Sequence, residues 1–273
     1  MTTLTTPQRD FGLTGEQTDG DIRALSFSTP NLPVRVFQNG GHVEIGSRAI
    51  VVNPDVTPVP FYPSGLRDHI APLGAAFLRE VSLRSDTTLV TLALDRLSVP
   101  ADLCSAPGWR RLDTLPGMAS VPGAAGLPLF RSPRDRVTTI QATPDRLAPT
   151  LPPGPPQCWG VFMNLWFAPA GTACLIHNSH PFLEYHVQIS GDGAMQKFRR
   201  NDPSTLYENQ YLAPGAAHGI YAVQPAGDGS FLYPWHQYVA RTDCLWLAVE
   251  LVPEGPAPRP HTSDTHTGQC CHH

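Results

Sequence analysis

Thirty of this chain's 273 residues are proline, and no other feature restricts its fold as much. That share is about twice the ~5% usual in globular domains. Proline lacks a backbone N–H and is excluded from helix interiors and central strands. A chain so interrupted is cut into short elements joined by fixed turns, which favours β structure over a helical bundle. The prolines alternate with apolar, β-branched runs, and hydrophobic residues make up 41% of the whole. A packed core is therefore expected rather than repetitive disorder.

Charge and cysteine usage narrow the partners. The formal net charge is −4, and Lys197 is the only lysine. An acidic balance lacks the basic footprint that nucleic-acid binding needs. No run of ~18 apolar residues suggests a membrane span, and the polar stretch Met1–Gly20 has no apolar segment of a secretory signal. Cys104, Cys158, Cys174, Cys244, Cys270 and Cys271 show neither zinc-ribbon spacing nor disulfide density. These readings point to a reduced, cytoplasmic protein.

Turn signals divide the chain into a flexible N-terminus (1–20), a β-rich region ending in a Pro/Gly-rich connector (21–156), a denser β region (157–252) and a disordered tail (253–273). In the first half, strands are expected at Ile22–Phe27, Val34–Phe37, His42–Ile45, Ala49–Val52 and Thr87–Leu94, with one helix at Leu73–Leu83. In the second, they are expected at Trp159–Phe167, Thr172–His177, Phe182–Ile189, Ala194–Phe198, Asn209–Ala213, Ala217–Val223, Phe231–Ala240 and Cys244–Val252. So many short strands with tight turns imply an antiparallel sandwich or barrel.

Polar residues recur at every second position in Phe182–Ile189, which places Glu184, His186 and Gln188 on one face of a strand. His177 and His180 lie just upstream and face Glu184 if the two strands form a hairpin. Pro214-Gly215-Ala-Ala-His218 brings another histidine to the start of a strand. Imidazoles and one carboxylate converging from separate strands suit iron(II), manganese, nickel, copper or zinc. Gln188, Tyr207, Gln210, Tyr233, Trp235, His236 and Trp246 read as packing or rim residues, and Lys197 and Arg199 as a solvated face.

The run Gly171-(five residues)-His177-Asn-Ser-His180-(three residues)-Glu184-(six residues)-Gly191 resembles the first motif of the cupin superfamily. Pro214-Gly215-x-x-His218 resembles the second. Two departures stand out: the histidines are spaced His-x-x-His, and Pro-Gly replaces Pro-x-Gly. The resemblance implies an all-β fold, a cupin double-stranded β-helix (jelly-roll barrel) over about 157–252. The first half is then a β-rich extension or a degenerate second cupin-like half. The implied ligands are Glu184 and His218 first, then His180, then His177, with His186 as the substitute.

The implied function is that of a metal-dependent enzyme acting on a small-molecule substrate. One divalent metal ion is expected, iron(II) first, with zinc, nickel, manganese or copper as alternatives. The leading expectation is an oxygenase that consumes O2, with Tyr207, Gln188 and His186 as catalytic groups that orient substrate or move protons. A non-redox lyase or isomerase is the second, and a non-catalytic binding module the third. The resemblance also implies a homodimer. On this reading Glu184→Ala and His218→Ala strip the metal and His236→Ala does not.

Overall fold

Short β-branched runs bounded by Pro and Gly do form strands. The computed structural model describes residues 21–38, 41–62, 67–97 and 100–256. The readings of 1–20 and 257–273 as flexible ends, and the turns at Asn39-Gly40 and Pro63-Ser64-Gly65, lie outside the described residues. The first half contains β1 (Asp21–Ala24), β2 (Val34–Gln38), β3 (Gly41–Ile45), β4 (Ala49–Asn53), β5 (Val59–Phe61), β6 (Asp68–Ile70), β7 (Gly74–Leu78), β8 (Val81–Ser85) and β9 (Leu89–Ala93). The second contains β10 (Arg110–Arg111), β11 (Phe130–Arg131), β12 (Asp135–Ala142), β13 (Gln157–Ala168), β14 (His177–His180), β15 (Leu183–Ser190), β16 (Gly193–Phe198), β17 (Leu206–Leu212), β18 (Gln224–Pro225), β19 (Phe231–Ala240) and β20 (Cys244–Pro256).

The two halves repeat one topology. In the first, the sheets run β2-β9-β4-β7 and β3-β8-β5-β6, with β1 added at the edge of β2. In the second they run β13-β20-β15, with β11, β10 and β12 added beside β13, and β14-β19-β16-β17, with β18 beside β19. The segment 215–218 then hydrogen-bonds to β15 (Gly215 N to Gln188 O, Gln188 N to Ala216 O), taking the place that β7 takes beside β4. Substituting β13–β17, this segment, β19 and β20 for β2–β9 reproduces both strand orders. Each half is thus a two-sheet barrel with the same strand order.

Packing distinguishes the two barrels. Val43 and Ile45 (β3), Val51 (β4), Val59 and Phe61 (β5), Leu83 (β8) and Leu89 (β9) fill the first barrel with aliphatic and aromatic groups. The opposite face of that sheet, with Val34, Val36, Ile50, Val52, Val90 and Leu92, packs against Val161, Met163, Leu183, Tyr185, Val187, Leu247 and Val249 of the second barrel. All five residues of β4 are therefore buried, alternately in its own barrel and in the joint. Each such aliphatic side chain contributes ~1.5–3 kcal/mol on burial. The joint also has polar ties: Tyr185 OH to Asn53 O at 3.4 Å and an Arg23 guanidinium nitrogen to Val137 O at 2.9 Å.

Several expectations are corrected. The helix at Leu73–Leu83 is two strands, β7 and β8, turning at Arg79-Glu80. Glu80 takes a positive φ of 54° there, which a continuous helix excludes. Thr172–His177 and Ala217–Val223 are mostly irregular, and the real strand begins at His177. The 101–157 connector holds β12, eight residues paired with β13. The final strand continues to Pro256 rather than ending at Val252. Among the described residues, no helix is long and apolar enough to cross a membrane.

Candidate metal centre

Strand alternation sets the two walls of the site. Along β15, Leu183, Tyr185 and Val187 face the first barrel, so Glu184, His186 and Gln188 point into the second barrel. β14 pairs with β19 on the opposing sheet, not with β15 as a hairpin. His177 and His180 therefore reach Glu184 across the barrel interior. His177 stands opposite His236 of β19, but the next partners are Ser179 and Leu232. Two residues on β14 thus span four on β19, a bulge. Pro234 lies within it, where no ladder N–H is required.

The bulge and the strand entry orient the imidazoles. Nδ1 of His236 lies 2.8 Å from Pro234 O, and Nδ1 of His177 lies 2.8 Å from Leu175 O. A carbonyl only accepts, so both rings carry their proton on Nδ1 and leave Nε2 bare. Those bare nitrogens lie 3.0 Å (His177) and 3.4 Å (His236) from His180 Nε2. Glu184 Oε2 is 3.5 Å from the same His180 atom. His177, His180 and His236 form a group whose ligand atoms all lie within 4.8 Å of one another.

Electrostatics suit a cation. Burial lowers the pKa of all three imidazoles, to about 4 for His180 and about 2 for His236. Burial alone would raise Glu184, yet the neighbouring His186 and His180 hold its carboxyl well below the usual range. Three neutral imidazoles and one carboxylate in a buried cluster are the donor set of a transition-metal site. The backbone-fixed tautomers of His177 and His236 are the arrangement that ligating histidines use. The residues present thus fit the divalent metal that the motifs imply.

The structure brings His177, His180 and Glu184 together and leaves His218 out of the three-imidazole group. Its Nδ1 donates to Gly219 O at 2.9 Å, and its Nε2 accepts the backbone N–H of His186 at 3.2 Å. Both ring nitrogens are committed to backbone, and burial lowers its pKa to about 3. His218 clamps the 215–218 segment to β15. His236, read from the sequence as packing, takes the third imidazole position. No motif announces it, because its place depends on the β14–β19 register.

The other candidates separate. His186 places Nε2 2.9 Å from Glu184 Oε1, while its buried Nδ1 has no partner among the described residues. Gln188 is fully buried and consumed: its Nε2 donates to Ser190 O and Gly191 O, and its Oε1 accepts from Tyr238 OH at 2.6 Å. It holds the β15–β16 turn. Tyr207 is 46% exposed on the edge strand β17, outside the buried cluster. Lys197 is not on a solvated face: its Nζ meets Glu208 at 2.7 Å and lies 4.2 Å from the centre of the Tyr221 ring. Tyr221 in turn stacks on His218 at 4.7 Å and meets His236 edge-on at 5.5 Å.

The fold and centre define a cupin-type barrel with a buried three-imidazole cluster beside a carboxylate, paired with a filled barrel. No protein-family model matches the chain, and no curated protein does. Among solved structures it is similar to the cupin 2 conserved barrel domain protein of Leptotrichia buccalis, at 8% identity over 87% of this chain and 91% of that one, with a TM-score of 0.27. AerE from Microcystis aeruginosa matches at 9% identity over 81% and 87%, with a TM-score of 0.26. Cobalt(II) HppE in complex with Tris buffer matches at 12% identity over 33% of this chain and only 45% of that one, with a TM-score of 0.25.

Proposed function

We propose that this chain is a mononuclear metal enzyme that uses iron(II), held by His177, His180, His236 and Glu184, to oxygenate a small polar metabolite. One observation carries this reading: the bare Nε2 atoms of His177 and His236 converge on His180 beside a buried carboxylate. Nitrogen-rich sets select iron, zinc, copper or nickel over magnesium and calcium, which prefer oxygen. Iron(II) held there supplies the electrons for reaction with O2.

The chain's own groups do the positioning. Leu175 O and Pro234 O fix two ring orientations. Tyr233 OH donates to Phe182 O and accepts the Glu184 N–H, both at 3.0 Å, which holds the carboxylate's strand in place. Burial of the cluster excludes bulk water and strengthens every charge interaction inside it.

The second reading, a non-redox lyase or isomerase with zinc, nickel or manganese, is favoured by one atom. His186 Nδ1 is bare and its other nitrogen is held by Glu184, the disposition of a general base. A homodimer in the cytoplasm belongs to either reading, and light scattering on the purified chain tests the dimer.

Metal analysis on protein purified without an affinity tag separates the readings. About one equivalent of iron, with O2 uptake that requires a chelating substrate, is expected for the oxygenase. About one equivalent of zinc, nickel or manganese without O2 uptake moves the assignment to the second reading. No metal after anaerobic reconstitution overturns both and leaves a binding module.

A further inference from the structure

The sheet β14-β19-β16-β17 ends at β17, whose outer edge pairs with no strand among the described residues. Such an edge presents a row of unmet N–H and C=O groups, which folds commonly blunt with lysine, proline or inserted charge. β17 carries little of this protection. Its one charged residue, Glu208, turns into the barrel and meets Lys197 at 2.7 Å. Three of the seven exposed large hydrophobic residues, Leu206, Tyr207 and Tyr211, lie on this single strand among the described residues.

Alternation divides the strand between two faces. Glu208 and Gln210 point into the barrel, and Tyr207, Asn209 and Tyr211 point away from it. Arg199 lies 5.7 Å from the centre of the Tyr207 ring, and Arg241 lies 4.9 Å from that of Tyr211. These contacts steady both aromatic rings on the outer face.

The sequence of the strand indicates what covers its edge. Leu206-Tyr207-Glu208-Asn209-Gln210-Tyr211-Leu212 reads alike in both directions about Asn209, except that glutamine answers glutamate. Two copies of one edge strand pair antiparallel about a two-fold axis. An axis through Asn209 sets Tyr207 against the partner's Tyr211, Glu208 against the partner's Gln210, and Asn209 against the partner's Asn209. Aromatic rings then face aromatic rings, and no like charges meet. An axis through Glu208 would oppose two carboxylates. One through Gln210 would set Tyr211 against the partner's Asn209 and lose both aromatic pairs. An axis between residues would match outer side chains with inner ones.

We propose that β17 joins two copies of this chain, adding sheet to sheet in an antiparallel pair centred on Asn209. The mode is strand addition at an exposed edge, with the main chain giving affinity and the side chains giving register. The proposal rests on the homodimer expected above, for which it names the surface, and is independent of the metal reading.

The test is light scattering on the full chain over a dilution series, for wild type, Asn209→Lys, Asn209→Asp and an equimolar mixture of the two variants. Asn209 is exposed, so neither substitution removes a buried contact. The expected result is twice the monomer mass for wild type and the monomer mass for each variant alone. The mixture should return to twice the monomer mass, because opposite charges then meet across the axis. Since a variant can misfold, amide hydrogen exchange on wild type decides independently: protection in 207–211 should fall when dilution converts dimer to monomer. A wild type that is monomeric at every concentration overturns both the dimer and this interface. A folded variant that stays dimeric, a mixture of folded variants that stays monomeric, or equal exchange in 207–211 for dimer and monomer overturns the interface alone. Metal content of the same samples reports separately on the metal reading.

Discussion

His236 of β19 lies directly opposite His177 of β14, with ring centroids 4.4 Å apart. This cross-strand pair belongs to the three-imidazole group whose ligand atoms lie within 4.8 Å of one another. His236→Ala is therefore expected to lower metal affinity by more than the ~10–100-fold typical of losing an outer-shell partner. His218→Ala is expected to keep full metal stoichiometry and to lose stability instead. Metal analysis after dialysis, beside a urea melt, checks both. Metal lost from His218→Ala and kept in His236→Ala would return the site to the motif-based arrangement.

The metal-free protein should weaken as pH falls from 7 towards 5. His177, His180, His218 and His236 have pKa values lowered by burial, to about 4 for His180 and about 3 for His218. Unfolded, each takes up a proton near pH 6.5, so below that the unfolded chain binds more protons and gains on the folded one. Their stability contribution is complete above about pH 6.5 and is lost progressively down to the folded values, at up to ~1.4 kcal/mol per group per pH unit. Glu184, with its pKa lowered, adds a further loss only below about pH 4.5. Denaturant titrations at a series of pH values read this slope, and a flat profile between pH 7 and 5 would contradict it.

The two motif glycines should differ in cost. Gly171 and Gly191 both adopt positive φ, 80° and 77°. At Gly171 an added Cβ meets nothing within 4 Å, whereas at Gly191 it would lie 2.1 Å from Asp243 O. Gly171→Ala is expected to cost about 1–2 kcal/mol from the backbone conformation alone. Gly191→Ala adds a backbone clash of roughly 1–3 kcal/mol. Equal losses in a urea melt would mean that the Asp243 backbone yields freely.

Glu250 is 4% exposed and is held by Arg134 and Asn164. Burial and the nearby Glu184 raise its pKa against the pull of Arg134. Arg134→Ala strands a buried carboxylate and is expected to cost about 2–3 kcal/mol, less than a fully buried pair because the arginine is partly solvated. Glu250→Gln keeps an acceptor for Asn164 and should recover part of that loss in the double variant. A double-mutant cycle by urea denaturation measures the coupling; a value near zero would show that the pair contributes no net stability.

The β character of the chain and most strand positions in the second half follow from local pattern. Proline interruption, alternation and turn residues act over a few neighbours. The missed strands show the limit of that pattern. β5 and β6 are three residues each, too short for alternation to register. β12 is eight residues long, with its register shifted between Arg136 and Thr138, within a stretch whose Pro and Gly content suggested a connector.

Local pattern determined what kind of donors this barrel carries; tertiary pairing decided which of them meet. Glu184 and His186 share a face because consecutive side chains alternate, a property of any strand. His236 joins the centre because β14 pairs with β19 across a bulge containing Pro234, whose carbonyl turns the ring. His218 is removed from it because the 215–218 backbone docks on β15 and takes up both ring nitrogens. Strand partners far apart in sequence are chosen by burial of the whole sheet. That choice is a long-range quantity that no short motif encodes.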